Sequence, residues 1–374
     1  MVKRQAKLIL DDGSIYQGHV FAHGPDVFGE VIFNTGMSGY EEVLTDPSYK
    51  EQMVVMTYPL IGNYGINTED KQSNSIHLKA LIVKEYIDFP SHHRSKMTLK
   101  QYLEQNNVIG IEGIDTRRLT RNLRVTGAKK GYICTEDLSD EALIQRVKDA
   151  EDIVGKNLAK EVSTTQKYEW AQPKEILFHV AVIDCGVKFG ILDQLKNCGC
   201  KVTVFPYNVS SSEITEGNFD GVLISNGPGD PIPVTEAQEL IRTLAGNIPI
   251  FGICLGHQIL SIAFGFKIVK LPFGHHGLNH PVKNLMTGNI EITSQNHIYC
   301  SEEASISDDF EVTHVNQNDH TIAGIRSNKL MAFSVQHHPE AAPGPNDSNY
   351  LFKEFTHLMT HNCFSDKKVA VKNA

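Results

Sequence analysis

The chain has 374 residues, of which 35 are Lys or Arg and 44 are Asp or Glu, so its formal net charge is −9. This acidic balance gives no overall positive field that would attract nucleic acid or an acidic membrane surface. No apolar run approaches the about 20 residues that span a bilayer, and the apolar stretch Leu8-Ile9-Leu10 is too short for a signal peptide. Seven scattered cysteines, an odd number, favour reduced thiols. We therefore expect a cytoplasmic protein of two domains that binds neither nucleic acid nor membrane.

Residues 1–160 are predicted to form a mixed α/β domain. Strand patterns occupy 6–10, 15–20 and 29–34, and helical patterns follow at 98–105, at 115–124 and after Ser139. Thr98 and Gln101 form a capping-box pattern and Asp115 is a typical N-cap, so two of these helices have clear starts. The polar, aperiodic segment 161–176 is interpreted as an interdomain linker.

From residue 177 to residue 362 strands alternate with helices. Continuous apolar strands are predicted at 178–183, 201–205, 221–224 and 248–252, with helices ending near 199 and spanning 235–245 and 255–264. Strands that are apolar throughout are typical of a parallel sheet covered on both faces. The pattern predicts an α/β fold, a doubly wound and mostly parallel sheet. Shorter strands are predicted at 289–293, 311–315, 321–325 and 331–335, with a last helix at 348–360 and a disordered tail at 363–374.

The first chemical signal is Gly252-Ile253-Cys254-Leu255-Gly256, where a predicted strand ends and a helix begins at once. A nucleophile elbow has this arrangement, with glycines on both sides because the turn is too tight for side chains there. The N-terminus of the helix favours a thiolate at Cys254, and the amide of Leu255 is free to donate to an oxyanion. By itself the pentapeptide is equally compatible with a buried structural cysteine in a glycine turn.

The second signal is His338-Pro339-Glu340, which follows an apolar strand. A thiolate nucleophile needs a general base and acid, usually histidine, and the histidine needs a carboxylate that orients it. His338 and Glu340 supply both, and Pro339 restricts the backbone between them. His337 is the neighbouring alternative base, and the structural alternative is a pair of surface histidines at a strand end. Together with the elbow, the pattern predicts a catalytic triad of Cys254, His338 and Glu340.

The third signal is the loop Asn226-Gly227-Pro228-Gly229-Asp230-Pro231, which follows a strand at the edge where open α/β sheets bind ligands. Taken alone, these residues are also ordinary turn formers. The three elements in this order resemble the class I, triad-type glutamine amidotransferases over residues 178–360. The resemblance implies that Cys254 forms a γ-glutamyl thioester, that His338 is the acid and base, and that Glu340 orients His338.

Over nearly its whole length, the chain resembles the small subunits of carbamoyl phosphate synthetases. The motifs that carry this resemblance lie at 33–49, 57–65, 113–121, 273–277, 279–281, 294–297 and 343–345. The resemblance implies L-glutamine as substrate, and a large partner subunit that makes carbamoyl phosphate from ammonia, bicarbonate and ATP for pyrimidine and arginine synthesis. This chain shows no Gly-x-x-x-x-Gly-Lys-Ser/Thr loop. We therefore expect no cofactor in this chain, and ATP with its metal ions on the large subunit.

By the same resemblance eight residues form the glutamine site: Ser48, Gly227, Gly229, Leu255, Gln258, Asn296, Ile298 and Tyr299. The chain also departs from the usual family residues, which are Gly at 278 and 298, Phe at 299, Gln at 41 and Asn at 190; here they are Leu278, Ile298, Tyr299, Glu41 and Gly190. We expect Ile298 to lie in a loop after the strand 289–293. A β-branched residue is disfavoured at positive φ, so this substitution predicts a weakened affinity for glutamine.

Three histidines, His275, His276 and His280, suggest a metal site, but the glycines around them disfavour a rigid histidine pair and no acidic or cysteine ligand is close by. We expect no metal site. Two alternatives to the family's function stay open: a glutaminase that serves another synthetase, such as that of anthranilate or guanylate synthesis, and a non-catalytic subunit that stabilises its partner. The N-terminal motifs disfavour the first alternative, and the intact triad disfavours the second.

Overall fold

The computed structural model describes residues 3–302 and 307–365, and these fold as two compact units. One unit comprises the chain up to Val154 together with Leu271–His276, and the other comprises Gly155–Lys270 and the chain from Gly277 onward.

The first unit is built around a closed barrel of seven strands. Its strands, with two short extra ones, are β1 (Gln5–Leu10), β2 (Ile15–Ala22), β3 (Val27–Asn34), β4 (Gln52–Met56), β5 (Leu60–Ile61), β6 (Ala80–Ile82), β7 (Glu85–Tyr86), β8 (Ile109–Glu112) and β9 (Lys129–Cys134). The barrel order is β1-β2-β8-β6-β4-β3-β9, and β9 closes it by pairing antiparallel with β1. Successive residues of a strand face opposite sides. Leu8 and Leu10 therefore share one hydrophobic cluster, whereas Ile9 packs in another.

The helices of the first unit are α1 (Tyr40–Thr45), a 3-10 turn (Pro47–Tyr49), α2 (Leu99–Gln105), α3 (Thr116–Thr126) and α4 (Asp140–Asp149). The last three begin where the sequence patterns predict, whereas α1 and the 3-10 turn were not predicted. Thr98 and Gln101 form the predicted reciprocal capping box at α2. The side chains of Asp115 and Ser139 each accept a hydrogen bond from a first-turn amide of α3 and α4.

The second unit is an α/β sheet of ten strands. Its strands are β10 (Tyr168–Glu169), β11 (Phe178–Asp184), β12 (Cys200–Pro206), β13 (Gly221–Ile224), β14 (Ile250–Ile253), β15 (Ile268–Asn284), β16 (Ile290–Ser301), β17 (Glu311–Asn316), β18 (Ile322–Ser327) and β19 (Ala332–Val335). The strand order is β10-β12-β11-β13-β14-β19-β18-β17-β15-β16. Five neighbouring strands of this sheet are parallel to one another, as predicted: β12, β11, β13, β14 and β19.

Helices cover both faces of the parallel strands. The helices are α5 (Ala159–Val162), α6 (Phe189–Asn197), α7 (Ser211–Glu216), α8 (Thr235–Leu244), α9 (Leu255–Ala263) and α10 (Tyr350–His361). Ile183 of β11 packs in a cluster with Leu240 of α8. Its neighbour Val182 packs in another with Leu192 of α6 and Phe355 of α10. The sheet is therefore doubly wound, as predicted. Among the described residues, no helix is both long and apolar enough to cross a membrane.

The structure differs from the sequence patterns at the segment 161–176, predicted as a linker after a boundary at residue 160. The unit boundary falls after Val154, and this segment belongs to the second unit. Its strand β10 pairs antiparallel with β12, and the indole of Trp170 donates to Asp193 at 3.0 Å. The segment therefore packs along the edge of the sheet, with Tyr168–Glu169 as an edge strand of which one side is paired.

Two strands differ from the sequence patterns, one because it was not predicted and one because it extends well beyond its predicted end. β15 was not predicted because Pro272, Pro281 and several glycines interrupt any apolar alternation, and its part Leu271–His276 belongs to the first unit. β16 continues from its predicted end near 293 to Ser301, through polar residues that are buried. Burial of polar groups removes the alternation on which strand prediction depends.

The predicted tail begins at 363, but the chain packs on the second unit through residue 365. The ring of Phe364 contacts that of Phe333 at 5.7 Å between centroids, and Ser365 donates to Glu354 through its amide at 2.8 Å. The rest of the predicted tail, 366–374, lies outside the described residues.

Candidate active site

Cys254 lies in a strained turn between β14 and α9. Its φ and ψ are 53° and −102°, a conformation rare for a residue with a side chain. A Cβ at Gly252 would lie 2.7 Å from the carbonyl oxygen of Gly256, and a Cβ at Gly256 would lie 2.1 Å from that of Ile224. Both positions therefore require glycine, as the elbow pattern predicts.

The side chain of Cys254 is buried, and its S–H donates to the carbonyl oxygen of Asn296 at 3.4 Å. As the N-cap of α9, Cys254 lies at the positive end of a helix dipole. The amide of Gly256 donates to Ser225 at 3.0 Å, whereas the Leu255 amide makes no hydrogen bond to any described residue. The Leu255 amide is therefore available to an oxyanion, as predicted.

His338 is fixed at both its backbone and its ring. Its amide donates to the carbonyl of Ser294 at 2.9 Å, and its Nδ1–H donates to Glu340 Oε1 at 2.8 Å. Both side chains are buried, and Nε2 has no hydrogen-bond partner among the described residues. This arrangement is typical of a general base, in which one ring nitrogen is oriented by a carboxylate and the other can exchange a proton with the substrate.

Charge sets the protonation of His338. Burial lowers the pKa of His338, but the carboxylate of Glu340 and the sulfur of Cys254 more than offset it, so the pKa is raised. The sulfur thus lies near enough to act on the ring, although its S–H is directed to Asn296. The three predicted triad side chains meet in one buried site.

Lys188 is the site residue that the sequence patterns missed. Its Nζ donates to Glu340 Oε1 at 2.8 Å, and the two side chains are only 2% and 0% exposed. Burial raises the pKa of Glu340, but the charges of Lys188 and His338 outweigh it and hold that pKa well below its usual range. The sequence signal was a lysine just after β11, at the carboxyl edge of the sheet where ligands bind.

The glycine loop after β13 lies against the end of β11. A Cβ at Gly227 would lie 2.0 Å from the carbonyl oxygen of Cys185, and Gly229 has a φ of +79°. Both glycines are therefore needed for the backbone path. Asn226 is fully buried, and its Oδ1 accepts a hydrogen bond from the backbone amide of Lys188 at 3.1 Å, which joins this loop to the lysine that pairs with Glu340.

Three of the predicted glutamine-site residues lie beside the nucleophile. The carbonyl oxygen of Asn296 accepts a hydrogen bond from the Cys254 thiol. Gln258, four residues after Cys254 on α9, donates a hydrogen bond to the carbonyl oxygen of Tyr299 at 2.8 Å. Ser48 lies in the first unit, in the 3-10 turn, where its amide donates to Asp46 at 2.9 Å. The binding of glutamine by these residues stays a prediction.

The expectation that Ile298 lies in a loop is wrong, whereas its effect on glutamine affinity stays a prediction. It lies within β16 rather than in a loop, it is 5% exposed, and it is not among the described residues with positive φ. The predicted backbone strain is therefore absent. The sequence did not indicate this strand because its buried polar residues remove the alternation of apolar and polar side chains.

The neighbouring His337 has a different environment. It is fully buried, its ring lies 5.6 Å from that of His314, and neither of its nitrogens has a partner among the described residues. Burial, and then His314, hold the pKa of His337 well below its usual value, so the ring is neutral. His338 rather than His337 has the arrangement of a base. Within residues 3–302 and 307–365, no group of three or more His, Cys, Asp or Glu side chains is placed to hold a metal ion.

Comparison with known proteins decides the family. The model of "Glutamine amidotransferase class-I" matches residues 181–358, and that of "Carbamoyl-phosphate synthase small chain, CPSase domain" matches residues 8–133. The carbamoyl phosphate synthase small chain of Syntrophotalea carbinolica is 49% identical, over 96% of this chain and 98% of its own length. The chain belongs to the carbamoyl phosphate synthase small-chain family. The small chain of Chlorobaculum tepidum is 50% identical, over 95% of this chain and 97% of its own length.

A further small chain carries a more specific name. The pyrimidine-specific small chain of Bacillus subtilis is 45% identical, over 94% of this chain and 95% of its own length. The family assignment confirms the resemblance inferred from the motifs. The two matched regions are the barrel of the first unit, β1 to β9, and most of the second unit, so the triad lies in the glutamine amidotransferase domain.

Proposed function

We propose that this chain is the glutaminase subunit of a carbamoyl phosphate synthase. It hydrolyses L-glutamine to glutamate and ammonia, and a large subunit combines the ammonia with bicarbonate and ATP. The observation that supports this function best is the ring of His338, held at Nδ1 by Glu340 and open at Nε2 beside a cysteine on a nucleophile elbow. Membership of the small-chain family supports the choice of synthase.

In the acylation step the sulfur of Cys254 attacks the γ-carboxamide carbon of glutamine. The carbonyl oxygen becomes negative, and we assign its stabilisation to the amides of Leu255, Gly227 and Gly229 at this edge of the sheet. His338 then gives its Nε2 proton to the amide nitrogen. The C–N bond breaks, ammonia leaves, and a γ-glutamyl thioester remains on Cys254.

In the deacylation step the neutral His338 accepts a proton from water. The resulting hydroxide attacks the thioester carbon, the C–S bond breaks, and glutamate leaves. The thiolate and the protonated His338 are restored together, which agrees with the raised pKa of His338 in the free site. Glu340 stabilises the imidazolium formed in each cycle, and Lys188 keeps Glu340 ionised.

The division of labour with the partner follows from the chemistry that the chain lacks. Its sequence contains no Gly-x-x-x-x-Gly-Lys-Ser/Thr loop, so ATP and its metal ions are assigned to the large subunit and no cofactor to this chain. Its cysteines are all free in the structure, which supports action in the cytoplasm, where thiols stay reduced.

A paired substitution tests the glutaminase activity. Ammonia release from L-glutamine should fall by several orders of magnitude in His338→Asn, because both thiol activation and protonation of the leaving group fail. His337→Asn, at the adjacent buried histidine, should lose little activity. Equal losses in the two variants would show that His338 is not the base.

A further inference from the structure

Gln258 has an amide whose orientation the surrounding backbone determines. Its nitrogen lies 2.8 Å from the carbonyl oxygen of Tyr299 and 3.1 Å from Oε1 of Gln336. A carbonyl oxygen only accepts hydrogen bonds, so the atom that faces Tyr299 must be the NH2 group. Both N–H groups of Gln258 are therefore used within the protein. The remaining polar atom of its side chain, Oε1, is an acceptor.

The side chain of Gln258 lies on the same side of α9 as the reacting cysteine. Gln258 is four residues after Cys254 on α9, and its amide donates to the Cys254 carbonyl at 3.1 Å. Side chains at this spacing lie on the same face of a helix and lean toward its N-terminus. β16 borders the same place, because Asn296 accepts from the Cys254 thiol while Tyr299 accepts from Gln258.

Gln336 is oriented by Gln258 in turn. Its Oε1 accepts from Gln258, which leaves its own NH2 group buried without a partner among the described residues. The side chain is 2% exposed and lies two residues before His338. A buried donor without a partner destabilises a protein. This amide therefore destabilises the fold, and its one hydrogen bond within the described part of the chain is with Gln258.

We infer that Gln336 is a positioning residue for substrate recognition. By accepting the second N–H of Gln258, it keeps Oε1 of Gln258 directed away from the protein and toward the substrate. An acceptor there complements the α-ammonium group of glutamine. The inference rests on the proposed glutaminase function and specifies how that site selects α-amino acid amides over the same amides without an α-amino group.

The test compares L-glutamine with glutaramate, which is glutamine without the α-amino group, in the complex with the large subunit. Gln336→Met has a similar volume but no acceptor, so the Gln258 amide keeps the Tyr299 carbonyl but loses the second contact that fixes its orientation. We expect a KM for glutamine raised about tenfold with kcat within threefold, since the triad is untouched. The preference for glutamine over glutaramate in kcat/KM should fall at least fivefold, because glutaramate never makes the lost contact.

Two variants separate positioning from a general loss of packing. Gln336→Glu keeps an acceptor for Gln258 and should restore the preference for glutamine to within threefold of wild type. Gln238→Met removes another buried amide of the second unit, one that donates to Pro231 and Ile232 at 3.2 and 3.0 Å. Its effect should be the same on both substrates.

Equal losses on glutamine and glutaramate in Gln336→Met would overturn the inference, as would a folded Gln336→Glu that stays as unselective as Gln336→Met. Thermal melting of each variant establishes that it is folded. Failure of the wild-type complex to release ammonia from glutamine is a different result, which refutes the proposed function itself.

Discussion

Replacement of Glu41 by Gln should stabilise the first unit, and the gain should grow as the pH rises. Glu41 lies on α1 with 1% of its surface exposed, and its Oε2 accepts the amide of Asn67 at 2.8 Å. Burial raises the pKa of Glu41 from 4.5 to about 7, although the Asn67 amide acts in the opposite direction. Glutamine, the usual family residue here, keeps the acceptor and carries no charge.

The size of the effect follows from the difference between folded and unfolded chains. The folded chain binds the Glu41 proton more tightly, so the contribution of Glu41 to stability is full below pH 4.5 and is lost as the pH rises through about 7. At about 1.4 kcal/mol for each unit of difference between the pKa values of the folded and unfolded chains, the loss of stability reaches about 3 kcal/mol at pH 8. At pH 5 it is below about 1 kcal/mol.

The assay is urea unfolding of the purified chain, followed by far-UV circular dichroism at pH 5, 6.5 and 8. The free energy of unfolding of Glu41→Gln should exceed that of wild type by little at pH 5 and by about 2–3 kcal/mol at pH 8. Glu141→Gln, at an exposed position of α4, is the control and should show no such growth. A gain that is the same at all three pH values would refute the account of a buried, ionised carboxylate.

Three further substitutions test the second unit. Lys188→Met leaves the buried Glu340 without its ammonium partner, so we expect a loss of about 3–5 kcal/mol in stability and a lower kcat. The acid limb of the kcat–pH profile should also move to higher pH, because the charge of Lys188 lowers the pKa of His338. The control is Lys196→Met, at a partly exposed pair with Asp193, and an unmoved acid limb in Lys188→Met would contradict the electrostatic role. His337→Phe should keep glutaminase activity and raise the free energy of unfolding, by about 1 kcal/mol more at pH 5.5 than at pH 8. The reason is that residue 337 of the unfolded wild-type chain binds a proton below pH 6.5, whereas the buried His337 ring of the folded chain stays neutral. A gain in the free energy of unfolding that does not depend on pH would show that the ring is protonated in the folded chain. Ile298→Ala should lower the free energy of unfolding by about 2–4 kcal/mol in thermal or urea melts, as expected for a buried aliphatic side chain. An unchanged free energy of unfolding would contradict the burial of Ile298 in β16.

The parts of the site that the sequence predicts are those made by neighbours in the chain. The elbow at Cys254 and the pair His338 and Glu340 are local patterns, since tight turns and a spacing of two residues leave a direct mark on the residue types. The position of Lys188 after β11 places it at the carboxyl edge of the sheet, but no local pattern identifies its partner, because Glu340 is 152 residues away and only the order of the parallel strands joins them.

The misjudged elements have a common cause as well. Periodicity detects strands whose apolar side chains alternate, and it located most strands of the parallel sheet to within a few residues. It failed at β16, whose polar residues are buried beside the nucleophile, and at β15, which contains Pro272 and Pro281. It also took β10 for part of a linker, because an edge strand of two residues is too short to show alternation.

The most direct test of the central claim is carbamoyl phosphate synthesis by a Cys254→Ser chain in complex with its large subunit, measured once with glutamine and once with ammonia as nitrogen source. Because Cys254 serves only the cleavage of the amide, we predict that synthesis from glutamine is lost while synthesis from ammonia is kept at the wild-type rate. Glutamine-dependent synthesis that persists in the Cys254→Ser complex would contradict the nucleophile assignment, and loss of both activities in a folded complex would contradict the separation of the two reactions.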